Sequence, residues 1–153
     1  DVCSSDLLKF KFVDIDGVIE KQEKKTIQEI FKTKGENYFR KVEEKATLKE
    51  LKRNNLVISL GGGAFMNDNI RKEVKESSLS IWLDIDTNLL IPRLKNIAKR
   101  PLLNKENLEQ SIKKIYSHRK KTYNESNHKI NCSVLKIDEI VEKIINLYEN
   151  SRN

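Results

Sequence analysis

Three of the five glycines in this chain form one run, Gly61, Gly62 and Gly63, directly after the apolar segment 56–60. A short apolar segment with β-branched residues predicts a buried strand. Because glycine loses more conformational freedom on folding than any other residue, three in a row indicate a sharp exit from the strand, with bare backbone N–H groups close to a ligand. Ligands bind at this end of the strands in parallel sheets. A simple flexible turn is the alternative.

The size and charge of the chain narrow the possible functions. The 153 residues suffice for one domain with a single buried core. The formal net charge is +7, and only seven of the 30 basic residues are arginine. The positive charge is typical of a solvated surface, and it also favours polyanionic ligands such as nucleotides. Because no basic stripe is interleaved with aromatic residues, we expect no nucleic-acid partner.

Cysteine usage and hydropathy indicate where the protein works. Cys3 and Cys132 have neither metal-ligand spacing nor the number needed for a disulfide framework. With no apolar run of membrane-spanning length and no visible signal peptide, we expect a cytoplasmic protein with no membrane partner. Residues 1–7 match the translated end of a sequencing adapter. We therefore expect a non-native tail there and one N-terminally incomplete domain over residues 8–153.

Strand and helix patterns alternate along the chain. Strands are predicted at residues 10–15, 56–60, 79–85 and 128–132. Helices are predicted from residue 27 to a break at residues 34–36, and at residues 37–53, 69–75, 87–99 (which contains Pro92), 106–122 and 137–148. The alternation predicts an α/β fold with a mostly parallel sheet.

Two carboxylates follow the first predicted strand. Asp14 and Asp16 are two residues apart, and alternate residues of a strand point to one face. Two like charges on one side repel, so they persist where a cation or a substrate hydroxyl lies between them. A solvated strand end is the alternative.

Arginine occurs at selected positions in a chain that otherwise uses lysine, and its planar fork suits bidentate anion binding. Arg119 lies on the predicted inward stripe of its helix, where it needs either a buried carboxylate of the protein or a bound ligand. Arg40 follows the predicted helix break. Arg100 begins a proline-containing break, as a mobile lid would, and Arg93 lies seven residues earlier. The remaining arginines, with no such placement, are Arg53, Arg71 and Arg152.

The order of these motifs resembles that of the shikimate kinase family, over nearly the whole chain after residue 8. Each motif is weak alone, but the shared order and compatible spacing are specific. The residues that carry the resemblance are Phe12-Val13-Asp14-Ile15-Asp16 with Ile19-Glu20, Ile27-Gln28-Glu29-Ile30-Phe31, Gly35-Glu36 with Phe39-Arg40 and Glu43, Leu60-Gly61-Gly62-Gly63-Ala64, Arg100-Pro101-Leu102-Leu103, and Arg119 with Tyr123.

The resemblance implies a fold and a reaction. The fold is a P-loop kinase-like, three-layer α/β/α arrangement with a five-stranded parallel sheet. The reaction is transfer of the γ-phosphoryl group of ATP to the 3-hydroxyl of shikimate, on the route to chorismate and the aromatic amino acids. Mg²⁺ would be the cofactor, and the protein would act as a monomer on shikimate and ATP.

The resemblance also implies roles for individual residues. Asp16 would bind the shikimate hydroxyls and act as the general base, while Arg40 and Arg119 would clamp the carboxylate. The glycine run would donate backbone N–H groups, with Gly62 foremost. For the nucleotide, the implied contacts are Asp14 to Mg²⁺ through water, Arg100 to the phosphates and Arg93 stacked on adenine.

One large gap separates the chain from this pattern. The family's phosphate-binding loop, G-x-x-G-x-G-K-[ST], should lie roughly twenty residues before Asp14. Only 13 residues precede Asp14, and neither Gly-Lys-Ser nor Gly-Lys-Thr occurs in the chain. The family's first strand and first helix would be absent with the loop. We therefore expect a truncated kinase that binds ATP poorly and turns over negligibly, with two inner strand edges unpaired.

Three other functions stay open. Another small-molecule kinase of the same fold, such as a gluconate kinase, shares the architecture but does not need a paired-arginine clamp beside Asp-x-Asp and Gly-Gly-Gly. A non-catalytic kinase-like binding module would naturally lack the phosphate loop. A basic nucleic-acid-binding domain predicts retention on heparin that weakens steeply with salt.

Overall fold

The computed structural model describes residues 9–94 and 107–151. These residues contain four strands: β1 (Lys11–Asp14), β2 (Leu56–Ser59), β3 (Ile81–Asp84) and β4 (His128–Asn131). They also contain six α-helices: α1 (Ile15–Glu23), α2 (Ile27–Leu51), α3 (Asp68–Ser77), α4 (Thr87–Leu94), α5 (Leu108–Tyr123) and α6 (Ile137–Asn150). A short 3₁₀ helix, Ala64–Met66, joins the glycine run to α3.

The strands pair in parallel, as the alternation of helices and strands predicts. β1 pairs with β2 in a register that sets Asp14 opposite Ser59. β3 pairs with β4 in a register that sets Asp84 opposite Asn131. Within the described ranges the two pairs are separate two-stranded sheets. Parallel strands need crossover connections, and the helices supply them.

The structure corrects the prediction for the first strand. Residues 10–15 were predicted as strand, but the strand ends at Asp14 and α1 begins at Ile15. Ile15 and Ile19 are one helical turn apart, and both are fully buried. Gly17 lies between them and weakens the helical signal, because glycine has low helix propensity. The burial of this apolar face decides for a helix that propensity alone does not predict.

The predicted break in α2 is confirmed at Gly35. Its backbone angles, φ 79° and ψ 171°, are not helical, and only glycine adopts them readily. The helix begins with a capping box, in which Thr26 and Glu29 satisfy each other's backbone N–H groups. The kink lets the second part of α2 turn its own apolar face, including Phe39 and Ala46, towards the core.

Two apolar clusters meet beneath the glycine run. The first is built on the fully buried Ile15, Ile19 and Ile30, and the second on Ala64 and Ile70. Ile58 of β2 and Leu60 contact both clusters. The strand end that leads into the glycine run is therefore held from two sides.

Two further features concern the helices. Pro92 lies inside α4, where it removes one backbone hydrogen bond.

Among the helices of the described ranges, none has both the length and the apolar character needed to cross a lipid bilayer.

Candidate active site

The glycine run leaves β2 in a tight, hydrogen-bonded turn. The backbone N–H of Ala64 donates to the carbonyl of Gly61 at 3.0 Å, and that of Met66 donates to Gly63 at 3.1 Å. These bonds carry the run directly into the 3₁₀ helix. The turn is therefore ordered by its own backbone, which argues against a merely flexible connection.

A charged side chain approaches each glycine of the run so closely that a Cβ atom at that position would force the side chain to shift. A Cβ atom on Gly61 would lie 3.0 Å from Glu43 Oε1 and 3.2 Å from Asp16 Oδ1. On Gly62 it would lie 2.9 Å from Arg119 Nη1, and on Gly63 2.6 Å from the Arg40 Cζ atom.

These approaches come from three different helices. Asp16 is in the first turn of α1, Arg40 lies in α2 after the Gly35 kink, and Arg119 is in α5. The structure thus brings six of the predicted site residues together, because the same three side chains surround the three glycines. The roles implied for them stay predictions.

Arg40 is held by two glutamates of its own helix. Its Nη1 atom donates to Glu43 Oε2 at 2.6 Å, and its Nη2 atom donates to Glu36 Oε1 at 3.2 Å. Burial would lower the pKa of the Arg40 guanidinium, but the bonds to Glu43 and Glu36 outweigh it and keep that pKa above its ordinary value. The guanidinium is therefore charged and fixed in orientation beside Gly63.

Glu43 is part of the same cluster, although the sequence predicts no role for it beyond its place in a motif. Its side chain is 2% exposed and lies between Arg40 and the glycine run. Burial raises the pKa of the Glu43 carboxyl; the hydrogen bond from Arg40 opposes the rise, and the negative charge of Asp16 adds to it. The signal in the sequence was its position three residues after Arg40 on one helix face, which allows an ion pair.

Arg40 and Arg119 differ in their partners. Arg40 has a buried carboxylate, that of Glu43, as its ion-pair partner. Arg119 feels the charge of Glu43, but in the part of the chain that the structure describes no carboxylate lies within ion-pair distance of it. Its guanidinium faces Gly62 instead. Arg119 is therefore the group in this cluster best placed to take an anion from outside the protein.

Asp14 stands apart from this cluster. It ends β1, is exposed and lies near Gly17, whose Cβ position is 3.7 Å from Asp14 Oδ2. The prediction that Asp14 and Asp16 share one strand face is wrong, because Asp16 is already in α1 and strand alternation ends at Asp14. Within the described ranges no group of three or more acidic, cysteine or histidine side chains has the arrangement of a metal site.

The predicted nucleotide contacts are not tested by the described residues. Arg93 lies in α4, and Arg100 lies outside the described residues. Both assignments stay predictions.

Arg71, for which the sequence predicts no special placement, contacts the 3₁₀ helix that follows the glycine run. Its guanidinium donates to the carbonyls of Phe65 at 3.0 Å and Met66 at 3.3 Å, and it forms ion pairs with Asp68 and Glu125. It thereby braces the 3₁₀ helix that follows the glycine run. No sequence motif marks this role, since it depends on a partner 54 residues away in the chain.

Comparison with known proteins identifies the family. The sequence model of the family described as "Shikimate kinase" matches residues 3–149. The chain belongs to the shikimate kinase family. It is 41% identical to the shikimate kinase of Sulfurihydrogenibium sp. over 138 residues, which are 90% of this chain and 82% of that relative. It is 39% identical to the shikimate kinase of Persephonella marina over 138 residues, with 90% and 83% coverage.

Solved structures of shikimate kinases have the same fold. The Acinetobacter baumannii enzyme, solved in complex with shikimate, superposes with a TM-score of 0.92 at 28% identity, over 97% of this chain and 83% of that one. The Aquifex aeolicus enzyme superposes with a TM-score of 0.84 at 32% identity, over 97% and 87%. The expected α/β fold of P-loop kinases is therefore confirmed.

Proposed function

We propose that this chain binds shikimate at the glycine run and serves transfer of the γ-phosphoryl group of ATP to the 3-hydroxyl of shikimate. One observation carries the proposal: two guanidinium groups and a carboxylate from three helices converge on three glycines. Family membership supports the same reaction.

The two arginines would bind the carboxylate of shikimate. Arg119 would supply the charge that this anion needs, and Arg40, already oriented by Glu43, would supply the second fork. A planar guanidinium matches a carboxylate with two parallel hydrogen bonds, so the pair would fix the orientation of the ring as well as its charge.

Asp16 would bind the hydroxyl that receives the phosphoryl group. Its carboxylate lies at the opposite end of the glycine run from Arg40, so one small molecule can contact both. A carboxylate within hydrogen-bonding reach of a hydroxyl orients the oxygen for attack and accepts its proton. Phosphoryl transfer depends mainly on such positioning and on neutralisation of charge.

The glycine run would contribute backbone N–H groups and close access. Since a Cβ atom at Gly61, Gly62 or Gly63 would displace a charged side chain, glycine at these positions lets the backbone itself form the wall of the site. A substrate can approach peptide N–H groups there that a side chain would cover.

The nucleotide side of the reaction rests on fewer residues. Asp14 is an exposed carboxylate at the carboxyl end of β1, a hard oxygen donor that suits Mg²⁺ held partly through water. When bound, Mg²⁺ would neutralise charge on the phosphates. Arg93 would contact adenine and Arg100 the phosphates. We further propose that the protein is a cytoplasmic monomer in the pathway to aromatic amino acids.

Calorimetric titration tests the binding half of this proposal on the 153-residue chain. We expect saturable binding of shikimate and none of gluconate, which separates the proposal from a gluconate kinase. Arg119→Lys and Arg40→Lys should each weaken binding by about tenfold to hundredfold, because lysine cannot form a bidentate pair. Arg53→Lys is the matched control, since the ion-pair partner of Arg53 among the described residues is Glu50 at the end of α2. Unchanged affinity in both clamp variants would refute the proposed clamp.

Turnover tests the catalytic half. Because the chain contains neither Gly-Lys-Ser nor Gly-Lys-Thr, we expect negligible phosphorylation of shikimate by the 153 residues alone. Fusion of a segment that carries a phosphate loop should restore it, and Asp16→Asn in the fusion should abolish it while shikimate still binds. Ordinary enzyme rates without that segment would contradict this account of the nucleotide site.

A further inference from the structure

The last turn of α5 contacts the glycine run directly. The Tyr123 hydroxyl donates a hydrogen bond to the carbonyl of Gly62. The same oxygen lies 3.6 Å from the Cβ position of Gly62, while Arg119 Nη1 lies 2.9 Å from it. Residues four apart share one face of a helix. Arg119 and Tyr123 therefore lie beside the same glycine on one helix face. Arg119 brings a positive charge to Gly62, and Tyr123 donates a hydrogen bond to its carbonyl.

The tyrosine ring is fixed by its neighbours on both sides. Its centroid lies 5.7 Å from that of Trp82 in β3 and 6.4 Å from that of Phe65 in the 3₁₀ helix, both in edge-to-face arrangement. Such pairs prefer this geometry, and it restricts the ring. The hydroxyl consequently has a defined position relative to the glycine run.

A second connection joins the same two parts of the molecule. Arg71 donates to the carbonyl of Phe65 at 3.0 Å and pairs with Glu125 at 3.3 Å. Glu125 follows Tyr123 by two residues and also pairs with Lys75 of α3 at 2.6 Å. The end of α5 is thus tied to the segment after the glycine run as well as to the run itself.

We propose that Tyr123 is a positioning residue for shikimate binding, acting through the peptide between Gly62 and Gly63. A peptide unit is planar and trans, so a hydrogen bond that fixes the Gly62 carbonyl also fixes the direction of the Gly63 N–H. The backbone hydrogen bonds of the turn use the carbonyls of Gly61 and Gly63, whereas the carbonyl of Gly62 accepts from the Tyr123 hydroxyl. The hydroxyl therefore orients this one peptide and sets the distance between the glycine run and Arg119. This inference rests on the proposed function.

Tyr123→Phe is the direct test, and Tyr116→Phe is its matched control. Both variants remove one hydroxyl from α5 beside Trp82, but the Tyr116 hydroxyl donates to Asp84 at 3.0 Å and not to the glycine run. Calorimetric titration with shikimate should show about tenfold weaker binding for Tyr123→Phe, because a hydrogen bond that organises the site is lost. Affinity should be unchanged for Tyr116→Phe, and thermal unfolding should show both variants folded.

A double-mutant cycle separates positioning from a general loss of stability. In an Arg119→Lys background, Tyr123→Phe should add little further loss, since the distance that Tyr123 sets no longer serves a bidentate pair. Equal shikimate affinity of Tyr123→Phe and the wild type, or the same weakening by both tyrosine variants, would overturn the inference while leaving the proposed function standing. Absence of shikimate binding by the folded wild type would overturn the proposed function and the inference with it.

Discussion

The part of the molecule built on β1 and β2 is packed differently from the part built on β3 and β4. The first part has a continuous apolar interior, in which Ile15, Ile19 and Ile30 are fully buried. The largest fully buried side chains among the described residues all lie in the first part, although Phe12 of β1 is 53% exposed. In the second part Leu83 of β3 is 50% exposed, and Ile137 at the start of α6 is 71% exposed. The buried side chains of the second part include the aliphatic Ile112, Ile130 and Val141 and the aromatic Trp82, whose ring contacts those of Tyr116 and Tyr123.

This difference bears on how the site is assembled. Asp16, Arg40, Glu43 and the glycine run come from the well-packed first part, whereas Arg119 comes from α5 beside the second sheet. The first part can therefore present a preformed surface. The site becomes complete only when α5 is docked on it, through Tyr123 and the Arg71–Glu125 ion pair.

The largest expected effect comes from removing apolar volume in the first part. Ile19→Ala should lower the free energy of unfolding by about 2–5 kcal/mol, since a fully buried side chain leaves a cavity. Leu83→Ala, the counterpart in the second part, should change it by less than about 1 kcal/mol, because half of that side chain is exposed. Denaturant titration measures both. Equal losses would show that the two parts are packed alike.

A smaller but more local effect is expected at Gly63. In Gly63→Ala the new Cβ would lie 2.6 Å from Arg40 Cζ. The guanidinium is the flexible end of a side chain, so it should move while the fold persists, and shikimate affinity should fall about hundredfold. The control, Gly17→Ala in α1, places its Cβ no closer than 3.7 Å to Asp14 and should stabilise the helix by up to about 1 kcal/mol. Undiminished shikimate affinity in Gly63→Ala would show that the position of Arg40 does not matter for shikimate binding.

The sequence predicted that Asp16, Arg40, Arg119 and the glycine run lie close together. The order and spacing of the motifs indicate the fold, and the fold places these residues near one another. α1 was missed because Gly17 and Asp16 are weak helix formers and only tertiary burial of Ile15 and Ile19 settles the conformation.

Arg71 and Tyr123 needed coordinates for a different reason. Their roles depend on partners 54 and 61 residues away in the chain, Glu125 and the Gly62 carbonyl. Local patterns report periodicity and capping, and they carry no signal for such distant hydrogen bonds.

A modest gain in stability is expected from replacing Thr47, the one described polar side chain that is buried without a hydrogen-bond partner. Thr47 in α2 is fully buried, and no partner for its Oγ1 lies among the described residues. Thr47→Val keeps the shape and removes the unsatisfied hydroxyl, so the free energy of unfolding should rise by about 1 kcal/mol. Thr47→Ser, which keeps the hydroxyl and deletes a methyl group, should lower it. A loss of stability in Thr47→Val would reveal a partner for the hydroxyl.

The smallest expected effect is a pH dependence of the free energy of unfolding that is due to Glu43. Burial raises the pKa of its carboxyl above the ordinary 4.5 in the folded state. The folded state therefore holds this proton more tightly than the unfolded chain, and the resulting stability is present below pH 4.5 and is lost as pH rises through the raised pKa. The difference in unfolding free energy between wild type and Glu43→Gln should accordingly decrease as pH rises above 4.5. An increasing difference would mean that the ion pair with Arg40 outweighs burial.

The glycine amides offer the most direct test of the central claim, that the glycine run, Asp16, Arg40 and Arg119 form one shikimate site. The chain has only five glycines, so their backbone signals can be followed individually in ¹H–¹⁵N correlation spectra. On titration with shikimate we predict that the signals of Gly61, Gly62 and Gly63 shift together and saturate at the calorimetric Kd, while that of Gly35 stays in place. Saturating shikimate that leaves the three run signals unmoved would contradict the account.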